Sequence, residues 1–284
     1  MIKRNTLLFL FVLCPVMLAA GILDNQSGVR TRGMGDAFTG IADDINCIYY
    51  NPAGLGQFAK GEISLVYNNY YNLDLMNNLI FSVASPGIAE GTMGFSYQRS
   101  GVGQNVNFLG DYSENIYTLS YGVELLPSFY AGGNLKYLKI DYDIHASAIS
   151  CDAGVLMRAL DNHFSAGLMV KNLNKPVIRW ENSTSESLSS VIRLGAGFRP
   201  NNDLLFGLDL DRINEENYNI HAGAEIWLFS RRIAPRLGLA LLQSDGITLN
   251  VGMSFRYQAL RLDYSLDRHY ELGLNHVFGI VVKF

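Results

Sequence analysis

The side chains in this sequence with nucleophilic, acid–base or metal-binding chemistry are few and dispersed. Five histidines, His145, His163, His221, His269 and His276, fall at none of the short spacings that hold zinc. A hydrolase built on the outer wall of a barrel needs a serine, a histidine and an acid or amide together. His276 is the candidate base, but Ser265 and Asp263 take the opposite parity in the alternation of polar and apolar residues, so nucleophile and base do not converge. The sequence has no phosphate loop and no Cys-x-x-Cys pair. These residues therefore predict no catalytic set, no metal site and no cofactor. Cys14 lies in the leader, after a leucine rather than the small residue that lipidation needs; Cys47 and Cys151 fall in different regions and are expected as free thiols. The Asn-x-Ser/Thr matches at Asn25 and Asn182 read as chance.

A different kind of constellation is concentrated before residue 60. The run Arg32-Gly-Met-Gly-Asp-Ala-Phe-Thr-Gly-Ile-Ala-Asp-Asp44 leads into Ile-Asn-Cys-Ile-Tyr-Tyr-Asn-Pro-Ala-Gly-Leu55. Gly33 and Gly35 permit close backbone approach. A short helix is expected near Asp36–Ala42, with Asp43 and Asp44 as caps for the next turn of chain, and Asn51-Pro52 as a turn. A segment of this length is too small to be a domain. Its chemistry is that of a packing piece, held by something larger.

The larger piece is legible from residue 61 onward, where apolar residues alternate with polar or small ones, the period of a strand with two unlike faces. In Ile247–Tyr257, the residues Ile247, Leu249, Val251, Met253, Phe255 and Tyr257 share one face, and Thr248, Asn250, Gly252, Ser254 and Arg256 share the other. Candidate strands fall at 61–71, 78–86, 91–101, 113–126, 128–141, 148–159, 163–172, 191–200, 204–212, 218–229, 233–242, 247–257, 259–268 and 275–284. Their connections alternate short and long, as in outer-membrane barrels. The prediction is an all-β chain, a transmembrane antiparallel up-and-down barrel of about 14 strands with both termini on the short-turn side. Residues 61–284 form the barrel and 22–60 a hatch inside its lumen, since a barrel this wide leaves space to fill.

Composition agrees. Hydrophobic residues make up 49% and charged residues 17%, below the ~25% of ordinary soluble domains, yet no internal run is long enough for a membrane helix. Net charge of −4 gives nothing to attract nucleic acid. Lys3, Arg4, the apolar run 7–13 and small residues Ala19, Ala20 and Gly21 read as an export signal over 1–21, cut after Gly21 or Ala20. Aromatic girdles are expected at Phe129, Phe164, Phe198, Phe229 and Tyr257 on the short side, and at Tyr70, Tyr112, Tyr142, Tyr218 and Tyr270 on the long side. The charges Glu124, Lys136, Asp152, Arg158, Arg193, Arg199, Asp209, Asp211, Glu225, Arg236, Arg256, Arg261, Asp263, Asp267 and Lys283 are assigned to the lumen, where mixed signs pair across strands. One segment breaks the pattern: Leu138 and Ile140 are apolar on the lumen parity. The strand is expected there to run on past the membrane, with Gly132–Gly133 as an alternative site for a bulge.

The elements Gly33-Met34-Gly35, Ala37-Phe38, Ala42-Asp43-Asp44 and Asn51-Pro52-Ala53-Gly54-Leu55 resemble the N-terminal signature of the PorV/PorQ and FadL-like outer-membrane proteins. The resemblance is specific over Gly33–Leu55 and elsewhere is one of strand pattern. Two positions depart from it: Asp36 stands where a small residue is usual, and Tyr50 where Trp is frequent. The resemblance implies a bacterial outer-membrane location, contact with outer-membrane lipid, and a hatch inside a 14-stranded barrel. It implies two functions. PorV/PorQ-like proteins belong to the type IX secretion apparatus and engage secreted cargo or attachment-complex partners; the N-terminal motif is nearer to these. FadL-like proteins take up long-chain fatty acids or other hydrophobic small molecules, the hatch shifting to open a sideways route through the wall. For that function Met34, Phe38, Ile41, Ile48, Tyr49 and Tyr50 are the candidate ligand contacts; otherwise they pack the hatch against the wall.

Overall fold

In the computed structural model the alternating segments become hydrogen-bonded strands. The structure describes residues 28–69, 76–102, 112–142, 145–181, 185–213, 217–243, 246–269 and 273–284. The expected export signal, Cys14, Tyr70, Tyr270, Asn25 and Asn182 lie outside them. The strands are β1 (Glu62–Asn69), β2 (Met76–Ile88), β3 (Gly91–Val102), β4 (Ser113–Leu126), β5 (Phe129–Asp141), β6 (Ala146–Ala159), β7 (Phe164–Lys171), β8 (Val177–Trp180), β9 (Ser185–Ser187), β10 (Val191–Phe198), β11 (Leu204–Ile213), β12 (Asn217–Ile226), β13 (Ile233–Leu242), β14 (Gly246–Tyr257), β15 (Leu260–His269) and β16 (Gly273–Lys283).

Sequential strands pair antiparallel, with one skip: β7 pairs with β10, while β8 and β9 form a hairpin that attaches to β6. The remaining fourteen strands close, because β16 pairs with β1 over Glu62↔Lys283 to Asn69↔His276. Reciprocal bonds of 2.9 Å between Gly61 and Phe284 lock the seam. Closure removes the edges that an open sheet would expose. The β8–β9 hairpin is an addition to the strands read from sequence, where 172–190 is a long connection.

The two faces are chemically distinct. Leu65, Leu119, Leu208, Leu249, Leu262 and Ile280 are exposed on the outer wall. An apolar belt this continuous is the lipid surface of a membrane barrel rather than the core of a soluble sandwich. On the lumen side Arg193, Asp209, Asp211, Glu225, Arg236, Arg261, Asp263 and Asp267 are buried. Glu124 keeps the lumen side, opposite the inward Tyr130, but sits at the exposed rim, where it accepts from Ser128 N at 2.8 Å.

The short-turn end is built from tight connections. In the two-residue turn between β2 and β3, Ala89 and Glu90 both take positive φ, 48° and 65°, the backbone twist that matches twisted hairpin strands. Outside, Phe164, Phe198 and Phe206 stack at 4.7 and 6.3 Å near this end. Tyr97, Tyr117 and Tyr137 form the corresponding row higher up, at 5.0 and 6.3 Å. Tyr112 does not join a girdle as expected. It packs against apolar residues inside.

The pattern break in β5 also resolves differently. The ladder runs through Gly122↔Gly132↔Gly154 with no bulge there. Leu138 and Ile140 do not run out into water: they point into the lumen at 3% and 4% exposure. Ile116, Ala146, Ala148 and Ile178 pack with them, and Trp180 and Leu188 of the β8–β9 region cover them. The hairpin supplies the apolar partners that make lumen-facing leucine and isoleucine tolerable.

Candidate functional site

The segment before β1 fills the middle of the lumen. Its regular pieces are brief: α1 (Val29–Gly33), α2 (Cys47–Tyr50) and a 3-10 helix over Pro52–Gln57. The helix expected near Asp36–Ala42 is absent. That stretch turns, with Gly35, Asp36 and Ala42 at positive φ. None of these pieces is long enough to be stable alone, so the wall sets their shape.

Asn51 shows how. Its backbone is extended, its side chain caps the 3-10 helix by accepting from Ala53 N at 3.2 Å, and Pro52 comes next at the first helical position. Its amide also donates to Thr39 O at 3.0 Å and to Val155 O of β6 at 2.9 Å. One side chain thus ties the two halves of the hatch to each other and to the barrel. Gly54 belongs to the same fit: a Cβ there would stand 2.1 Å from Ala42 O.

The hatch reaches every strand of the closed barrel. Ile45 N donates to Glu62 of β1, and the Tyr49 hydroxyl meets Ser82 of β2 and Ser96 of β3. Asn134 of β5 donates to Ile48 O at 2.9 Å. Asp209 of β11 accepts from Phe38 N and Thr39 N at 2.9 and 2.8 Å, and His221 of β12 lies 2.7 Å from Gly35 O. Where no side chain bonds, bare backbone makes room. A Cβ on Gly167, Gly195, Gly223 or Gly238 would stand 2.2, 2.4, 2.2 and 2.0 Å from hatch main-chain atoms. Gly122, Gly252 and Gly279 are likewise filled against β4, β14 and β16 by Pro52, Gly33 and Val29. Neighbouring wall glycines pair in register, as in Gly207↔Gly223↔Gly238, so they form a belt.

The hatch is also held by charge. Arg30 forks onto Glu225 at 2.7 and 2.8 Å and reaches Asp43 and Asp44 at 2.5 and 3.1 Å. Arg236 takes the same Glu225 at 2.6 Å. Arg261 of β15 bridges Asp44 and Asp263 at 2.9 and 2.8 Å, Arg199 holds Asp43 at 2.5 Å, and Arg32 pairs with Asp267 at 3.1 Å. Burial alone would raise the Asp44 carboxyl. Arg261, Arg30 and Lys283 outweigh it and hold that carboxyl well below the usual range.

The structure buries almost every hatch residue singled out from sequence. Met34, Ala37, Phe38, Ala42, Ala53 and Leu55 are fully buried, as are Ile41, Ile48 and Tyr50. Met34, Phe38, Ile41 and Tyr50 pack as one cluster with Leu205 of β11, and Phe38 meets Tyr50 edge-on at 5.8 Å. Ile48 and Leu55 belong to a second cluster. Tyr49 is half-buried and packs against three of the apolar clusters. The six candidate ligand contacts are thus brought together as packing, with only Tyr49 partly open. Asp43 lines a cavity on the short-turn side with Asp44, Arg30 and Glu225. Sequence reasoning missed the apolar cluster at the other end of the lumen; its signal was the off-parity Leu138 and Ile140.

Cys47 and Cys151 are free thiols, the first buried. On the outer wall His276 shares a hydrogen bond of 2.7 Å with Tyr264, while Ser265 faces in and is fully buried. The ladders β1–β2, β2–β3 and β3–β4 run unbroken from Asn69 to Glu62 and from Gly101 to Gly91 among the described residues, with one register shift at Pro86/Ile88.

No family model matches the chain. A UPF0164 protein of Treponema pallidum (strain Nichols) is 20% identical over 286 residues, spanning 90% of this chain and 67% of that protein. Among solved structures, the P. putida toluene transporter TodX aligns with a TM-score of 0.67 at 9% identity, over 91% of this chain and 98% of that one. The CymD monoaromatic hydrocarbon channel gives 0.66 at 11% identity, over 90% and 96%. A Pseudomonas aeruginosa FadL homologue gives 0.61 at 11% identity, over 92% and 98%. At such identities the likeness is one of fold: the chain has the architecture of the FadL-type outer-membrane β-barrels.

Proposed function

We propose that this chain sits in the bacterial outer membrane, exported by the leader at 1–21, and takes in small hydrophobic molecules from outside. The observation that carries this is the apolar cluster at the long-loop end of the lumen. Ile116, Leu138, Ile140 and Ile178 gather there under Trp180, apart from the apolar wall residues such as Val66, Ile80, Leu205 and Val277 that pack against the hatch. An apolar patch facing the inside of a polar lumen costs stability unless it is covered or occupied. A small hydrocarbon or acyl tail replaces the Trp180 contact without exposing the patch. Of the candidate ligand contacts on the hatch, only Tyr49 is partly open to such a molecule. The solved structures of similar fold named for toluene and monoaromatic hydrocarbons support the reading.

The test is binding to the purified barrel in detergent. Toluene and dodecanoate are titrated while tryptophan emission, from Trp180 and Trp227 together, is followed. A saturable change is expected, and the double variant Leu138→Asn, Ile140→Asn should abolish it. A wild-type response that never saturates, or one the double variant keeps, removes the proposal.

A second reading has its own observation, the hatch motif Gly33–Leu55 in contact with every strand of the closed barrel. A barrel whose hatch does not move is a platform, and the PorV/PorQ-like motif makes secreted cargo or attachment-complex proteins of a type IX apparatus its partners. Cross-linking in cells of the source strain tests this. A source genome without type IX secretion genes ends it.

A further inference from the structure

Beneath the hatch, at the short-turn end, the charges do not cancel. A cavity of about 290 Å³ opens there between the hatch and the turns, lined by Arg30, Arg199, Arg231, Arg256, Arg261 and Lys283 around Trp227. Four acids share its wall, and all are engaged. Asp44 and Glu225 are each held by two arginines, Asp43 by Arg30 and Arg199, and Asp203 lies 4.0 Å from Arg231. A second cavity of about 270 Å³ adjoins it, sharing Arg256, Arg261 and Lys283 and adding Lys60; no acid lines it, though Lys283 is paired with Glu62 at 2.5 Å and Arg261 with Asp44 and Asp263.

Arg256 is the residue left over. It stands where the two cavities meet, half-buried. Among the described residues its guanidinium has no carboxylate within ion-pair distance. It lies over the face of Trp227, 4.0 Å from the ring centroid. Arg231 approaches the same ring at 5.8 Å. An arginine remains charged at any pH the cell reaches, and its planar fork fits paired oxygens. In a mouth walled by protein, surplus positive charge concentrates anions.

We propose that these joined cavities bind a small oxyanion, a phosphate or a carboxylate, from the compartment on the short-turn side, with Arg256 as its principal ligand, Arg231 assisting and Trp227 as the flat wall behind Arg256. The site is separate from the apolar cluster at the opposite end of the lumen and does not depend on what enters there.

Isothermal titration of the full-length barrel in detergent tests it, with inorganic phosphate and succinate as probes at fixed ionic strength and chloride as the control. Saturable binding of at least one probe is expected, with Arg256→Gln weakening it tenfold or more and Arg231→Gln several-fold. Arg179→Gln, at the far end of the barrel, should leave it unchanged. Phosphate binding alone identifies the ligand class as phosphate, and succinate alone as carboxylate. The proposal fails if neither probe saturates, if chloride at the same ionic strength gives the same heat, or if Arg256→Gln binds as wild type does. Heat-modifiable gel mobility checks that Arg256→Gln is folded. Should that variant not fold, unchanged binding by the exposed-side Arg231→Gln counts against the site.

Discussion

The two positions at which the hatch departs from the pattern it resembles are partners. The Tyr50 hydroxyl donates to Asp36 Oδ1 at 2.5 Å, both residues are buried, and Arg193 lies over the Tyr50 ring at 5.4 Å. A small residue at 36 and an indole at 50 would satisfy each other by contact alone; here a carboxylate has entered and a phenol supplies the donor it needs. Hydrogen bonds to charged groups are worth about 1.5–3 kcal/mol. Tyr50→Phe should therefore destabilise the folded barrel by that much, and Asp36→Ala by a similar amount. The double variant should lose less than the sum, with a coupling of at least about 0.5 kcal/mol. Midpoints of heat-modifiable mobility measure all three, and strict additivity would show that the pair is incidental. From sequence, both departures were visible but their pairing was not. The residues lie in a segment without periodicity, and only periodicity gives a side chain a direction before the fold is known.

Elements with a period were legible. The alternation from residue 61 onward located all fourteen barrel strands within a few residues, because lipid outside and charge inside impose opposite demands on successive side chains. The β8–β9 hairpin was not legible: Val177–Trp180 is four residues long, too short for alternation to stand out. Its consequence, the inward Leu138 and Ile140, was visible only as an anomaly. The glycine belt shows the same limit. Alternation placed Gly252 on the lumen face, yet nothing in it says that hatch backbone presses on such glycines. Gly238 is the sharpest case, its missing Cβ leaving room for Gly35 N. Gly238→Val should leave the barrel strands paired and lift the hatch, since the colliding atom is main chain and cannot swing aside. Protease added from the short-turn side should then cut within residues 33–42 at least tenfold faster than in wild type. Gly133→Ala, where an added Cβ meets only Asp152 O at 3.2 Å, is the control and should cut at the wild-type rate. Equal rates for Gly238→Val and wild type would mean that the belt is not what seats the hatch.

At the scale of the whole molecule, size and filling are coupled. Barrels of eight strands fill their interior with their own side chains, whereas barrels of 16–18 leave a water channel. Fourteen strands fall nearer the second, so the hatch must supply what the wall cannot. Its placement is overdetermined: bonds or backbone contacts to each strand, and buried ion pairs centred on Arg30. This predicts a barrel that is electrically silent. In planar bilayers the wild type should pass almost no ion current, and removing residues 28–57 should open a steady pore. Arg30→Ala separates the charge network from steric fit. It strands Glu225 with one arginine in place of two and frees Asp43 and Asp44 from one of their cations, the kind of loss that costs about 3–5 kcal/mol when a buried pair is broken. The hatch would still fill the lumen, but less of its binding energy would oppose departure, so Arg30→Ala should show bursts of conductance between closed intervals. A wild type that conducts steadily would mean that water runs past the hatch, and that hydrophobic passage and ion exclusion are not governed by the same piece of chain.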